Sequence, residues 1–141
     1  MNLSTQLLTI ERTLDTVTGP DTLAKLQHTL DAAWAAEEVP EYTRMCMDLA
    51  VSEIGTNIIE HSGNGQSVRL RMMVTVGPKT ISVVLNDDGR PVAVDLTSAA
   101  MPEELSERGR GLAIVHRVVD RVCYSRDRDG NCWTLMRRRA E

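Results

Sequence analysis

The sequence contains no phenylalanine, and tryptophan and tyrosine together supply only 3% of its 141 residues. The core must therefore be filled by Leu, Ile, Val and the seven methionines, whose flexible thioethers fit irregular gaps. Cysteine is also scarce. Cys46, Cys123 and Cys132 form an odd set with no framework spacing, which excludes a disulfide scaffold and points to a reducing compartment. No basic amino-terminal stretch leads into an apolar core, and no apolar run reaches spanning length. A soluble cytoplasmic protein without membrane contact is expected. Net positive charge is lacking too: the balance is -4, which gives no support for nucleic-acid binding. His28, His61 and His116 are dispersed, so no metal site made of protein ligands alone is expected. What remains is an ordinary globular composition, 42% hydrophobic and 26% charged, of a length suited to one domain over residues 1–141.

Hydrophobic periodicity divides the chain. Gln6–Arg12 alternates weakly and predicts an edge strand, with Asp15–Gly19 as a polar connection. Leu23, Leu26, Leu30, Ala33 and Trp34 recur at helical spacing between Pro20 and Glu37. A second helix is predicted over Tyr42–His61, and the short link between the two implies an antiparallel hairpin. Ser62-Gly63-Asn64-Gly65 is a loop. Val68–Val76 and Ile81–Leu85 alternate as two antiparallel strands around Gly77-Pro78-Lys79. Val92–Arg108 has no long period and reads as an exposed segment over a site. Gly109-Arg110-Gly111 then leads into a helix from Leu112, and Arg121–Arg126 and Asn131–Arg137 form a final hairpin. The closing Arg137-Arg138-Arg139 run reads as a solvated end. The expected fold class is α+β: a two-layer sandwich whose mixed, mostly antiparallel sheet carries the helices on one face.

Three places hold residue types suited to chemistry. On the second helix, Tyr42, Cys46, Leu49, Ala50 and Ile54 fall on one side, with Glu53 and Asn57 one turn apart at its centre. A carboxylate and an amide within an apolar stripe need partners, and they fit either a satisfied polar pair or a ligand site. Asp87-Asp88-Gly89 follows a strand, either as a tight turn or as an acceptor for an exocyclic amine. Gly109-Arg110-Gly111 ahead of a helix is either a plain turn or a phosphate cradle, since glycines admit close approach and a helix start offers free N–H groups. It is neither a Walker loop nor a Rossmann fingerprint.

At these residues the chain resembles the GHKL ATPases. Glu53-Ile54-Gly55-Thr56-Asn57, closed by His61, looks like the N box of that superfamily. Asp87-x-Gly89 looks like its first glycine box and Gly109-x-Gly111-Leu112 like its second. Ser52-Glu53, Thr56-Asn57, Asp88-Gly89-Arg90-Pro91 and the ending through Gly130-Asn131 resemble most the bacterial anti-sigma-factor serine/threonine kinases of partner-switching systems.

The resemblance implies the Bergerat ATP-binding fold, with ATP and Mg²⁺ as cofactors. Asp87 would accept from the adenine amine and Gly89 would pass beneath the ring. Asn57 would hold Mg²⁺. Gly109, Arg110, Gly111 and Leu112 would surround the phosphates, with Val92–Arg108 as the lid. Glu53 would be the general base for a hydroxyl of a STAS-domain anti-anti-sigma protein, and a sigma factor would be sequestered by the same kinase, as a homodimer. Arg90-Pro91 stands where histidine kinases carry a second glycine, and the sequence has no phosphoacceptor-histidine helix or transducer domain. The alternative is a non-catalytic ATP-binding antagonist in partner switching; retention of Glu53 favours the kinase.

Overall fold

A computed structural model describes residues 9–92 and 107–140, with side chains from Gly111 onward in the last helix. Its elements run β1 (Ile10–Val17), α1 (Thr22–Ala36), α2 (Glu41–Asn57), a π-helical turn (Ile58–Ser62), β2 (Arg69–Val76), β3 (Thr80–Asp87), α3 (Glu107–Val118), β4 (Arg121–Asp127) and β5 (Gly130–Arg138). The strands form one sheet in the order β1-β2-β3-β5-β4, and every pairing among the described residues is antiparallel. The expected mixed sheet is thus fully antiparallel there.

Alternation decides which face meets the helices. On β2 and β3, Leu70, Met72, Val74, Val76, Ile81, Val83 and Leu85 are all buried. Their neighbours point the other way, as period-two geometry requires. Trp133 and Leu135 continue the inner layer on β5. Leu26, Leu30 and Ala33 of α1, Met47, Ala50, Val51 and Ile54 of α2, and Leu112 and Val115 of α3 cover it. Each buried aliphatic side chain contributes about 1.5–3 kcal/mol relative to exposure. The Trp34 indole donates to Asp48 at 2.9 Å and ties α1 to α2.

Several expectations need correction. The first strand spans Ile10–Val17 rather than Gln6–Arg12; residues 6–8 lie outside the described residues. Asp15 belongs to that strand. It points to the outer face of an edge strand, where charge is tolerated and discourages stray pairing. On α2, Tyr42 and Leu49 are 55% and 42% exposed, because the buried arc centres on Met47, Ala50 and Ile54. The terminal arginines are not a free end. Arg139 meets Glu37 at 2.6 Å and donates to the carbonyls of Gly77 (3.0 Å) and Glu38, closing the sheet onto the α1–α2 link. Arg137 donates to the Val118 carbonyl and so caps the end of α3. Among the described residues, no helix is long and apolar enough to cross a membrane.

Candidate functional site

The site lies along the end of α2. Asn57 closes α2, and the chain then widens into a π-turn, shown by the Gly63 N–H bonding back to the Ile58 carbonyl at 2.9 Å. Such turns break helical register, and here the break delivers Ser62 to the end of β3. The Arg90 amide donates to the Ser62 carbonyl at 2.9 Å, so the β3 exit is fastened to the π-turn. Glu53, Asn57 and Ser62 therefore lie in order over about 13 Å of helix.

Asp87 ends β3 and is only 5% exposed. One carboxylate oxygen, Oδ1, accepts from the Gly89 amide (2.8 Å) and from the Asn131 side-chain nitrogen (3.0 Å). The other, Oδ2, is buried without a hydrogen-bond partner among the described residues. A buried acceptor left open is costly in a fold unless a ligand supplies the donor. Burial pushes the Asp87 carboxyl above its usual range; the Asn131 and Gly89 bonds oppose this, Asp88 adds to it, and the Ser62 hydroxyl nearby opposes it slightly.

Gly89 also makes a close contact within the fold. A Cβ there would lie 2.5 Å from the Ser62 carbonyl oxygen, so its role within the fold is to let the β3 exit touch the π-turn. Gly130, at φ 132°, starts β5 directly against the Asp87 backbone, where a side chain would collide with the Asp87 carbonyl. The acidic end is thus built by three converging backbones.

At the other end, Asn57 is 6% exposed and its amide nitrogen is buried with no partner among the described residues. The fold's own hydrogen bonding does not use that nitrogen, and turning the amide over would present its oxygen as a hard ligand. One amide oxygen, completed by phosphate and water oxygens, fits Mg²⁺. Among the described residues, no three His, Cys, Asp or Glu side chains are grouped to hold a metal by themselves. Glu53, half-buried, faces α3 one turn earlier, against Gly111.

The second glycine segment differs most from expectation. α3 begins at Glu107, so Gly109, Arg110 and Gly111 lie within its first turns rather than ahead of it. Packing of Leu112, Val115 and Val119 carries a helix through residues of poor propensity. The side chain of Arg110 lies outside the described residues. The Leu112 side chain is fully buried in the core. Of the segment proposed as a lid, 93–106 lie outside the described residues.

Sequence reasoning missed Asn131, Ser62 and Tyr124 as parts of the site. Asn131 is 1% exposed and sits opposite Asp87 in the β3–β5 register. Only an asparagine at the start of an otherwise apolar inner strand face, beside Gly130, hinted at it.

The family model described as the histidine kinase-like ATPase domain matches residues 17–137. Among solved structures, the histidine kinase domain of the blue-light activated histidine kinase from Erythrobacter litoralis is similar in fold. Its TM-score is 0.53 and its identity 23%, over 84% of this chain and 61% of that one. This chain thus spans less than two thirds of that solved domain. No curated protein matches the sequence.

Proposed function

This chain belongs to the histidine kinase-like ATPase domain family, and from that premise we propose an ATP-dependent protein serine/threonine kinase. Its substrate is a STAS-type anti-anti-sigma protein, and the same protein sequesters a sigma factor. The reading is carried by one observation. A buried acceptor with a free oxygen (Asp87, at the end of β3), a buried amide with an unpaired nitrogen (Asn57, at the end of α2) and a half-buried carboxylate (Glu53, one turn earlier on α2) follow one another, the β3 exit being fastened to the π-turn that continues α2. That order matches a base, a cation with its phosphates, and a terminal phosphoryl group.

In this reading Asp87 Oδ2 accepts from the adenine amine. Asn57 would hold Mg²⁺, which when bound neutralises charge on the phosphates. Gly111, near the start of α3, lies against Glu53, so the free N–H groups and positive dipole end of that helix start would serve the phosphates beside Glu53. Glu53 takes the proton of the acceptor hydroxyl as its oxygen bonds to the terminal phosphorus. The bond from that phosphorus to the bridging oxygen breaks, and ADP leaves. The domain works as a homodimer, since β1 leaves a sheet edge to be covered. Light scattering that gives only monomer mass at tens of micromolar removes that part.

Incubating the protein with ATP, Mg²⁺ and a STAS-domain partner, then weighing the partner intact, tests the proposal. Gain of one phosphoryl group on serine or threonine supports it. A protein that binds both ligands and never transfers phosphate is instead an ATP-dependent binding module.

A further inference from the structure

Asn131 makes more hydrogen bonds than its own strand requires. Its amide nitrogen donates to Asp87 Oδ1 at 3.0 Å, to the Arg90 carbonyl at 2.7 Å and, at 3.4 Å, to Ser62 Oγ. Its amide oxygen accepts from Arg126 Nη1 at 3.0 Å and from the Tyr124 hydroxyl. The same hydroxyl accepts from the Val92 amide at 3.1 Å, and the same guanidinium nitrogen donates to the Gly89 carbonyl at 2.9 Å.

The two ends of an amide differ in chemistry, and its neighbours decide which end points where. A guanidinium can only donate, so it must face the Asn131 oxygen. A carboxylate and a backbone carbonyl can only accept, so they must face the nitrogen. Turning the amide over would set oxygen against two acceptors and NH₂ against a cation. Arg126 and Tyr124 of β4 thereby fix the direction of Asn131, and Asn131 fixes the Asp87 carboxylate. With Oδ1 committed to Asn131 and Gly89, Oδ2 alone remains to read a ligand.

We infer that Asn131, oriented by Arg126 and Tyr124, is the positioning residue that makes Asp87 an amine-only reader and excludes 6-oxopurine nucleotides. The inference rests on Asp87 being the base acceptor. Adenine offers an exocyclic N–H to Oδ2, whereas hypoxanthine and guanine offer a carbonyl oxygen there. A carboxyl that turns, or that carries a proton on the oxygen facing the base, tolerates that carbonyl by donating to it. The Asn131 and Gly89 N–H groups hold Oδ1 in place and, by donating to it, favour the ionised form, whose Oδ2 can only accept. The control thus sits on β4, an edge strand whose Arg126 lies at the surface.

The test is calorimetric titration of the full chain with ADP and with IDP, which differ at that one exocyclic group. The wild-type protein should favour ADP by about tenfold or more, the scale of one hydrogen bond to a charged group. Asn131→Ala should bring the preference below about threefold. The double variant Tyr124→Phe with Arg126→Ala should do the same while leaving Asn131 in place. Tyr124→Phe alone removes a single atom, and it should lower the preference in part. A loss of affinity equal for both nucleotides marks a merely structural role and overturns the inference. So does a folded variant that retains the wild-type ratio, and in that case Asp87 still reads the base. Wild-type protein that binds ADP and IDP equally overturns base reading by Asp87. Failure of the wild-type protein to bind ADP at all overturns the nucleotide site itself.

Discussion

A methyl group added at Gly111 would lie 2.6 Å from Glu53 Oε1, so α3 meets α2 at the carboxylate through a residue with no side chain. The contact ties the direction of Glu53 to the presence of glycine. Gly111→Ala should leave stability within about 1 kcal/mol, since alanine favours helix by about that amount and only the flexible end of Glu53 must move. Transfer of phosphate should fall roughly 10²-fold, the scale of a small misplacement of a reacting group. Thermal melting and single-turnover phosphorylation on the same variant check this. Wild-type transfer would show that the contact only packs the helices.

Glu53→Gln keeps shape and hydrogen-bonding capacity but removes the proton acceptor. Transfer should fall by roughly 10²–10⁴-fold, as general-base loss does, while ATP affinity changes little. A variant that melts lower and transfers at the wild-type rate would make Glu53 a brace.

Asp87→Asn should weaken ADP binding and yet stabilise the empty protein at neutral pH. Burial raises the folded-state carboxyl above its ordinary value, so the charged form is disfavoured by folding. For a raised carboxyl, the folded state binds protons more tightly than the unfolded chain. Its stabilising share is complete below the unfolded value and disappears as pH rises through the folded one. The variant's advantage in melting temperature should therefore be largest at neutral pH and shrink as the wild-type acid protonates. A pH series of melts and ADP titrations checks both halves. Wild-type ADP binding should itself fade on acidification, beginning at a higher pH than an ordinary aspartate would give.

Arg139→Ala removes the clamp to Glu37, both partners being 15% exposed, along with its bonds to the Gly77 and Glu38 carbonyls. Loss of about 2 kcal/mol is expected, the scale of hydrogen bonds to charged groups. Urea unfolding should show a lower midpoint at unchanged slope, with ADP affinity retained because the clamp is far from Asp87 in the sheet register.

Local pattern fixes much of this protein. Alternation at Leu70, Met72 and Val74 set both strand and face, because a side chain's side of a sheet depends only on its parity. Helical spacing at Leu26, Leu30 and Ala33 likewise set the inner side of α1. Asp87, Asn57 and Glu53 were legible as polar residues at strand ends or within an apolar stripe. The sequence left open which glycines serve a ligand and which serve the fold. Gly89 meets Ser62, and Gly111 meets Glu53, across separations of 27 and 58 residues in the chain. Only the approach of distant backbones decides such contacts. The same holds for Asn131. Its pairing with Asp87 follows from β5 entering the sheet beside β3, a choice that strand periodicity does not encode. Its direction follows from Arg126 and Tyr124 on the neighbouring strand. Residue types gave the site its acids and amides, and tertiary register decided which oxygen was left free.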